Sequence, residues 1–208
     1  AGLLADAEAI RAAGARPLAC ASAITVQTTR AVRTWRAIDA DLVEAQVLAL
    51  AEEEGPIGAV KLGMLGASAT VAAILRLRDH PALRRAAWVI DPVLRSSSGA
   101  KLLEGGGAEL LPLVAGAALI TPNLAEAAEL SGLPLPRDEA AMREVGTALL
   151  GRGAGAVLVK GGHLEGEAVD LLVQPGGITA LRGPRVPGTR RGTGCRLASF
   201  LAGRLAAG

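Results

Sequence analysis

Short apolar runs that suit buried strands alternate along this chain with longer stretches whose apolar residues recur every three to four positions, the spacing of an amphipathic helix. Leu3, Leu4, Ala7 and Ile10 carry helical spacing, and Gly14 supplies a stop. The apolar run 17–24 predicts a strand, with Thr25-Val26-Gln27-Thr28-Thr29, polar and β-branched, at its carboxyl end. Residues 30–38 alternate around Trp35 and predict a small strand projecting over the site, with Trp35 in a packing role. Asp39 and Asp41 then cap a helix through Glu54 with a 3.6-residue period, ended by Gly55-Pro56.

The same alternation continues. Strands are predicted at 57–62, 86–90, 117–120 and 156–159, and Ser68 caps a helix to about Arg78. Gly105-Gly106-Gly107 breaks the chain before a helix around 109–114. Asn123 opens another helix, and residues 138–151 form a further one. Residues 167–173 and 178–186 fit a hairpin turning at Pro175-Gly176-Gly177, and the segment 196–207 is again helical in period. Strand and helix in alternation predict an α/β fold, a mainly parallel sheet with helices on both faces. With no internal repeat or long linker, residues 1–208 read as one domain.

Composition narrows the function classes. A net charge of +2 with scattered arginines excludes an electrostatic footprint for nucleic acid or a membrane surface. Trp35, Trp88 and Phe200, the only aromatics, are too few for a base-stacking platform. No apolar stretch reaches the roughly 18 residues of a transmembrane helix. Two distant cysteines, Cys20 and Cys195, suit a reducing cytoplasm and cannot alone make a structural zinc site.

The chemistry gathers where the predicted strands end, the edge at which open α/β sheets bind ligands. Pro187-Gly188-Thr189-Arg190-Arg191-Gly192-Thr193-Gly194-Cys195 runs into the last helix, so unpaired N–H groups and the helix dipole attract an anion such as phosphate. Gly192 and Gly194 admit close backbone approach, Thr193 adds a hydroxyl, and Cys195 sits where its thiol pKa is expected to fall. Gly-Thr-Gly also serves as an ordinary helix cap. Asp91-Pro92-Val93 ends one strand with a carboxylate placed to help hold Mg²⁺. Asn123 and Glu126 make a capping-box pair. Lys160-Gly161-Gly162-His163 either carries a lysine to a phosphate or is an exposed turn. Gln27 offers an amide's two donors and one acceptor at that edge. Met64 reads equally well as core filler, and Asp6 as a first-turn residue complementing its helix dipole.

Taken in order, Asp91-Pro92-Val93, Thr121-Pro122-Asn123-Leu124-Ala125-Glu126, Val159-Lys160-Gly161-Gly162-His163 and Gly192-Thr193-Gly194-Cys195 resemble the ribokinase-like superfamily. More narrowly they look like the hydroxymethylpyrimidine/phosphomethylpyrimidine kinases of thiamine biosynthesis. The resemblance implies a three-layer α/β/α sandwich, ATP and Mg²⁺ as cofactors, and phosphorylation of 4-amino-5-hydroxymethyl-2-methylpyrimidine and its monophosphate. It places Asp6, Gln27, Met64 and Val93 at the substrate, and Asn123, Lys160, Thr193 and Gly194 at the nucleotide. Asp91 and Glu126 fall at the metal, and Cys195, Gly192, Gly194 and Lys160 at the chemistry. Superfamily members often dimerise, which allows a homodimer.

Departures from the family pattern are Val26 and Thr28 beside Gln27, Ser97 for a lysine, Ala100 for an aspartate, and Arg191 and Arg196 flanking the Gly-Thr-Gly-Cys stretch. The family also has a strand and a glycine-rich loop before the segment matching 1–6, and helical sequence beyond the position of Gly208. The usual ends are therefore expected to be missing. Two other functions stay open: a pyridoxal kinase, which shares the scaffold, and an inactive pyrimidine- or nucleotide-binding module.

Overall fold

A computed structural model of the protein describes residues 2–28, 31–96, 99–162, 164, 167–185 and 192–208. Its centre is a six-stranded sheet in the order β3 (Ala59–Leu62), β4 (Ala87–Ile90), β5 (Leu119–Ile120), β6 (Val157–Lys160), β7 (Ala168–Gln174) and β8 (Gly177–Gly183). The first four strands run parallel and the last two return as the expected antiparallel hairpin. β1 (Ala23–Gln27) and β2 (Val32–Ala37) form a separate two-stranded antiparallel sheet.

Alternation along the strands separates two apolar layers. Trp88 and Ile90, Ile120, and Val157 and Val159 join the large core, with residues of α3 (Ser68–Leu77), α4 (Leu111–Val114), α5 (Leu124–Ser131) and α6 (Glu139–Gly151). Val89, Leu119 and Leu158 point the other way onto Ala198 and Ala202 of α7 (Thr193–Ala207). α1 (Leu3–Ala12) lies close against α7: a Cβ on Gly203 would come within 2.7 Å of the Ala13 methyl. α2 (Ala40–Glu54) contributes Val47 and Leu48 to the edge of the large core. Helices thus cover both faces of a mainly parallel sheet. Among the described residues no helix is long and apolar enough to cross a membrane.

Three local expectations differ from the structure. Residues 17–24 do not form a strand of the main sheet: residues 15–21 carry no regular structure, and the strand begins only at Ala23. The backbone of Ala21 is satisfied by one side chain instead, its N–H donating to Gln46 Oε1 and its carbonyl accepting from Gln46 Nε2, both at 3.0 Å. Gln27 consequently lies inside the small hairpin rather than beyond a strand of the main sheet. Ser68 is the first residue of α3 and not its cap, since the extended Ala67 holds the N-cap position without a side-chain bond. Asp39 does stand at the N-cap of α2, again without a side-chain bond.

The β1–β2 hairpin is fastened over the end of β3, as its sequence predicts. Trp35 Nε1 donates to the Lys101 carbonyl at 3.0 Å, and the indole lies so close to Gly66 that a Cβ there would meet it at 3.2 Å.

Candidate active site

The carboxyl ends of β3, β4, β5 and β6 deliver Gly63, Asp91, Thr121 and Lys160 to one edge, where α7 begins. Gly63, Asp91 and Lys160 border a cleft of 3790 Å³, larger than the roughly 300–1,000 Å³ of ordinary ligand pockets. Its size reflects a channel along the outer side of β3, an edge strand of the sheet among the described residues, which is continuous with the site.

An ion pair stands on the floor of the cleft. Lys160 Nζ lies 3.0 Å from Asp91 Oδ1, and the two side chains are 16% and 3% exposed. Thr121 Oγ1 donates to the same oxygen at 3.4 Å. The ammonium also touches the start of α7, because a Cβ on Gly194 would lie 2.8 Å from Nζ. Gly192, in the left-handed conformation at φ 79°, is the N-cap of α7, so Thr193, Gly194 and Cys195 supply first-turn N–H groups that have no intrahelical acceptor.

Lys160 is held from behind by Gly161. Its N–H donates to Asp170 Oδ1 at 2.9 Å, and a Cβ at this position would fall 2.2 Å from the Val169 carbonyl oxygen. Backbone cannot yield as a side-chain tip can. Gly161→Ala is therefore expected to cost about 1–3 kcal/mol of stability and to displace Lys160; denaturant unfolding measures the first effect. An unchanged midpoint would mean that the loop accommodates the methyl group.

Beside Lys160, through a bridge between the two backbones, stands Asn123. It caps α5 in the predicted box: Asn123 Oδ1 accepts from the Glu126 N–H at 3.0 Å and Glu126 Oε2 accepts from the Asn123 N–H at 2.8 Å. Glu126 is 7% exposed. Burial pushes its carboxyl up to about 7, against the lowering effects of Lys160 and of the Asn123 N–H.

Cys195 corrects a sequence expectation. Its thiol is not lowered by the helix terminus but pushed up to about 12. Burial is the largest cause, followed by the charge of Asp91; Lys61 acts in the opposite direction, and a hydrogen bond to Asp91 holds the proton further. At neutral pH the side chain is a neutral thiol bonded to a carboxylate.

On the far side of Cys195, Asp6 of α1 pairs with Lys61 of β3 at 3.2 Å, and Ser199 Oγ donates to its other oxygen at 2.9 Å. Gln27, Met64 and Val93 line the same cleft as Asp6, so the residues expected at substrate and nucleotide border one cavity. The Met64 carbonyl accepts from Ser22 Oγ at 2.5 Å. Arg190, Arg191, Ser97 and His163 lie outside the described residues. Sequence reasoning assigned no role to Lys61, Thr121, Asp170 or Ser199. Lys61 carried one signal, a cation within a buried strand, and Thr121 another, its place at the head of the quoted stretch 121–126; Asp170 and Ser199 carried none.

The architecture is the ribokinase-like three-layer α/β/α sandwich, with a cleft at the carboxyl edge of its sheet. The sequence signature of the phosphomethylpyrimidine kinase family matches residues 1–208, and the chain belongs to that family. It is 40% identical to a hydroxymethylpyrimidine/phosphomethylpyrimidine kinase of Rhizobium meliloti, over all of this chain and 78% of that one. The crystal structure of phosphomethylpyrimidine kinase from Clostridium difficile superimposes with a TM-score of 0.84 at 32% identity, covering 100% of this chain and 85% of the other. Pyridoxal kinase from Staphylococcus aureus in complex with pyridoxal is similar at a TM-score of 0.88 and 25% identity, with 100% and 76% covered.

Proposed function

We propose that residues 1–208 act as one kinase domain that transfers the γ-phosphoryl group of ATP to the hydroxymethyl oxygen of 4-amino-5-hydroxymethyl-2-methylpyrimidine and then to the resulting monophosphate. The observation that carries this reading is the Asp91–Lys160 pair set against the open amides of α7 at a strand-end cleft. In-line phosphoryl transfer needs positioning and charge neutralisation more than covalent help from the protein.

Each group then has a task. Lys160 and the Thr193, Gly194 and Cys195 amides hold the transferring phosphoryl oxygens as charge develops on them, and Gly192 gives the turn its shape. Asn123 borders the nucleotide phosphates. Gln27, Asp6, Val93 and the backbone at Met64 orient the pyrimidine so that its hydroxyl faces the γ-phosphorus. The acceptor O–P bond forms as the bond from phosphorus to the β-phosphate oxygen breaks, the acceptor proton passes to a phosphoryl oxygen and on to water, and ADP leaves.

Mg²⁺ fits the donors present. It takes one or two carboxylates together with substrate phosphates and water rather than a protein cage; among the described residues no cluster of three or more His, Cys, Asp and Glu side chains forms such a cage. Asp91 and Glu126 would hold it, and it would neutralise charge shared between the β- and γ-phosphates.

Cys195 is not the base in this account. A thiol pushed to about 12 keeps its proton at neutral pH and donates to Asp91, holding that carboxylate in place. A loose transition state asks for little deprotonation before the new bond forms. Cys195→Ala is expected to keep turnover within about tenfold of the parent, with no thiol limb added to or lost from the pH–rate profile between pH 6 and 9. Total loss of turnover with intact ligand binding would make the thiol a required proton carrier. The reading as a whole is tested by mass analysis of the pyrimidine after incubation with Mg-ATP: gain of one phosphoryl group supports it, and an unmodified pyrimidine refutes it.

A further inference from the structure

Two buried ion pairs flank the start of α7, and the reaction as described uses only one. The second is Asp6–Lys61, at 3.2 Å, with side chains 18% and 8% exposed. Lys61 projects from β3 so that its ammonium lies over the end of its own strand: a Cβ on Gly63 would sit 2.8 Å from Nζ. Lys61, Gly63, Met64, Asp6 and Cys195 all border the cleft. The charges of Lys61 and Asp6 both bear on the Cys195 thiol, which places the pair next to the phosphoryl-handling turn.

A cation this buried is not a packing device. An apolar side chain would fill the space without the desolvation cost. Asp6 has a second partner in the fully buried Ser199, at 2.9 Å, so it keeps a hydrogen bond if Lys61 turns away. The two acceptors differ most in charge. A hydroxymethyl group brings none, whereas a phosphate monoester brings about −1.5 to −2 at pH 7. Lys160 already faces Asp91 and the transferred group, and Arg95, also bordering the cleft, holds its charge in solvent at 57% exposure. Among the described residues Lys61 is the buried ammonium left on the pyrimidine side.

We propose that Lys61 is a specificity-determining residue that leaves Asp6 to bind the phosphate of the phosphorylated acceptor, while Ser199 holds Asp6 in place. This rests on the kinase reading above. Binding of the unphosphorylated pyrimidine then leaves the pair closed, and binding of the monophosphate opens it.

Calorimetric affinities of the nucleotide-free full chain for hydroxymethylpyrimidine and for its monophosphate test this directly, in the parent, Lys61→Met and Lys61→Arg proteins. The preference for the monophosphate is expected to fall at least tenfold in Lys61→Met and to be restored in Lys61→Arg. Should Lys61→Met fail to fold, the Lys61→Met/Asp6→Asn double variant removes the unpaired carboxylate and is expected to show the same loss of preference. Equal weakening for both ligands, or an unchanged preference, overturns the assignment of Lys61 alone. A parent protein that binds neither pyrimidine overturns the kinase reading and this inference with it.

Discussion

Lys160→Met is expected to lower kcat/KM for the pyrimidine by about 10²–10³-fold, the effect of removing one preorganised donor from a developing oxyanion. The loss falls mainly on kcat, because the ammonium stands against the α7 turn, where charge builds only during transfer. Stability falls as well. Asp91, 3% exposed, would keep Thr121 and the Cys195 thiol as its side-chain partners among the described residues, and breaking a buried pair costs about 3–5 kcal/mol. The stability effect is isolated in a second variant: Asp91→Asn in the Lys160→Met background removes the unpaired carboxylate and is expected to recover much of the melting temperature. Full activity in a folded Lys160→Met protein would remove the ammonium from the transfer step.

Glu126 makes the stability of the protein fall as pH rises. Its folded pKa of about 7 lies above the ordinary value of 4.5, so between these pH values the folded state holds more proton than the unfolded one. The advantage is fully present below pH 4.5 and is lost as pH passes 7, a swing on the order of 3 kcal/mol. Glu126→Gln is expected to flatten this slope while retaining the capping box, since an amide oxygen also accepts the Asn123 N–H. Above pH 7 the variant should then melt higher than the parent. Metal binding offers an opposing check: Mg²⁺ at pH 8 is expected to raise the parent's melting temperature by holding the carboxylate ionised, and to do less for the variant. Parallel stability–pH curves for the two proteins would refute the raised carboxyl.

What could be read from sequence followed from how local its cause was. The capping box at Asn123 and Glu126, the β7–β8 hairpin and the ends of β3, β4 and β6 each rest on a few neighbouring residues, and each is found in place. Residues 17–24 failed because apolar character measures burial and not pairing; the partner that satisfies Ala21 is the Gln46 side chain, 25 residues away. Cys195 failed for a related reason. A helix N-terminus is visible in sequence and lowers a thiol pKa, but the burial and the Asp91 contact that outweigh it are products of tertiary packing. Lys61 and Ser199 meet Asp6 across 55 and 193 positions, which no periodicity reports.

The most direct test compares kcat/KM with Mg-ATP for hydroxymethylpyrimidine, its monophosphate and pyridoxal in parallel, following ADP release and identifying each product by mass. Turnover of both pyrimidines with pyridoxal much the poorer acceptor is the predicted result. Preference for pyridoxal, or ATP binding without turnover of any of the three by the folded protein, would contradict the account.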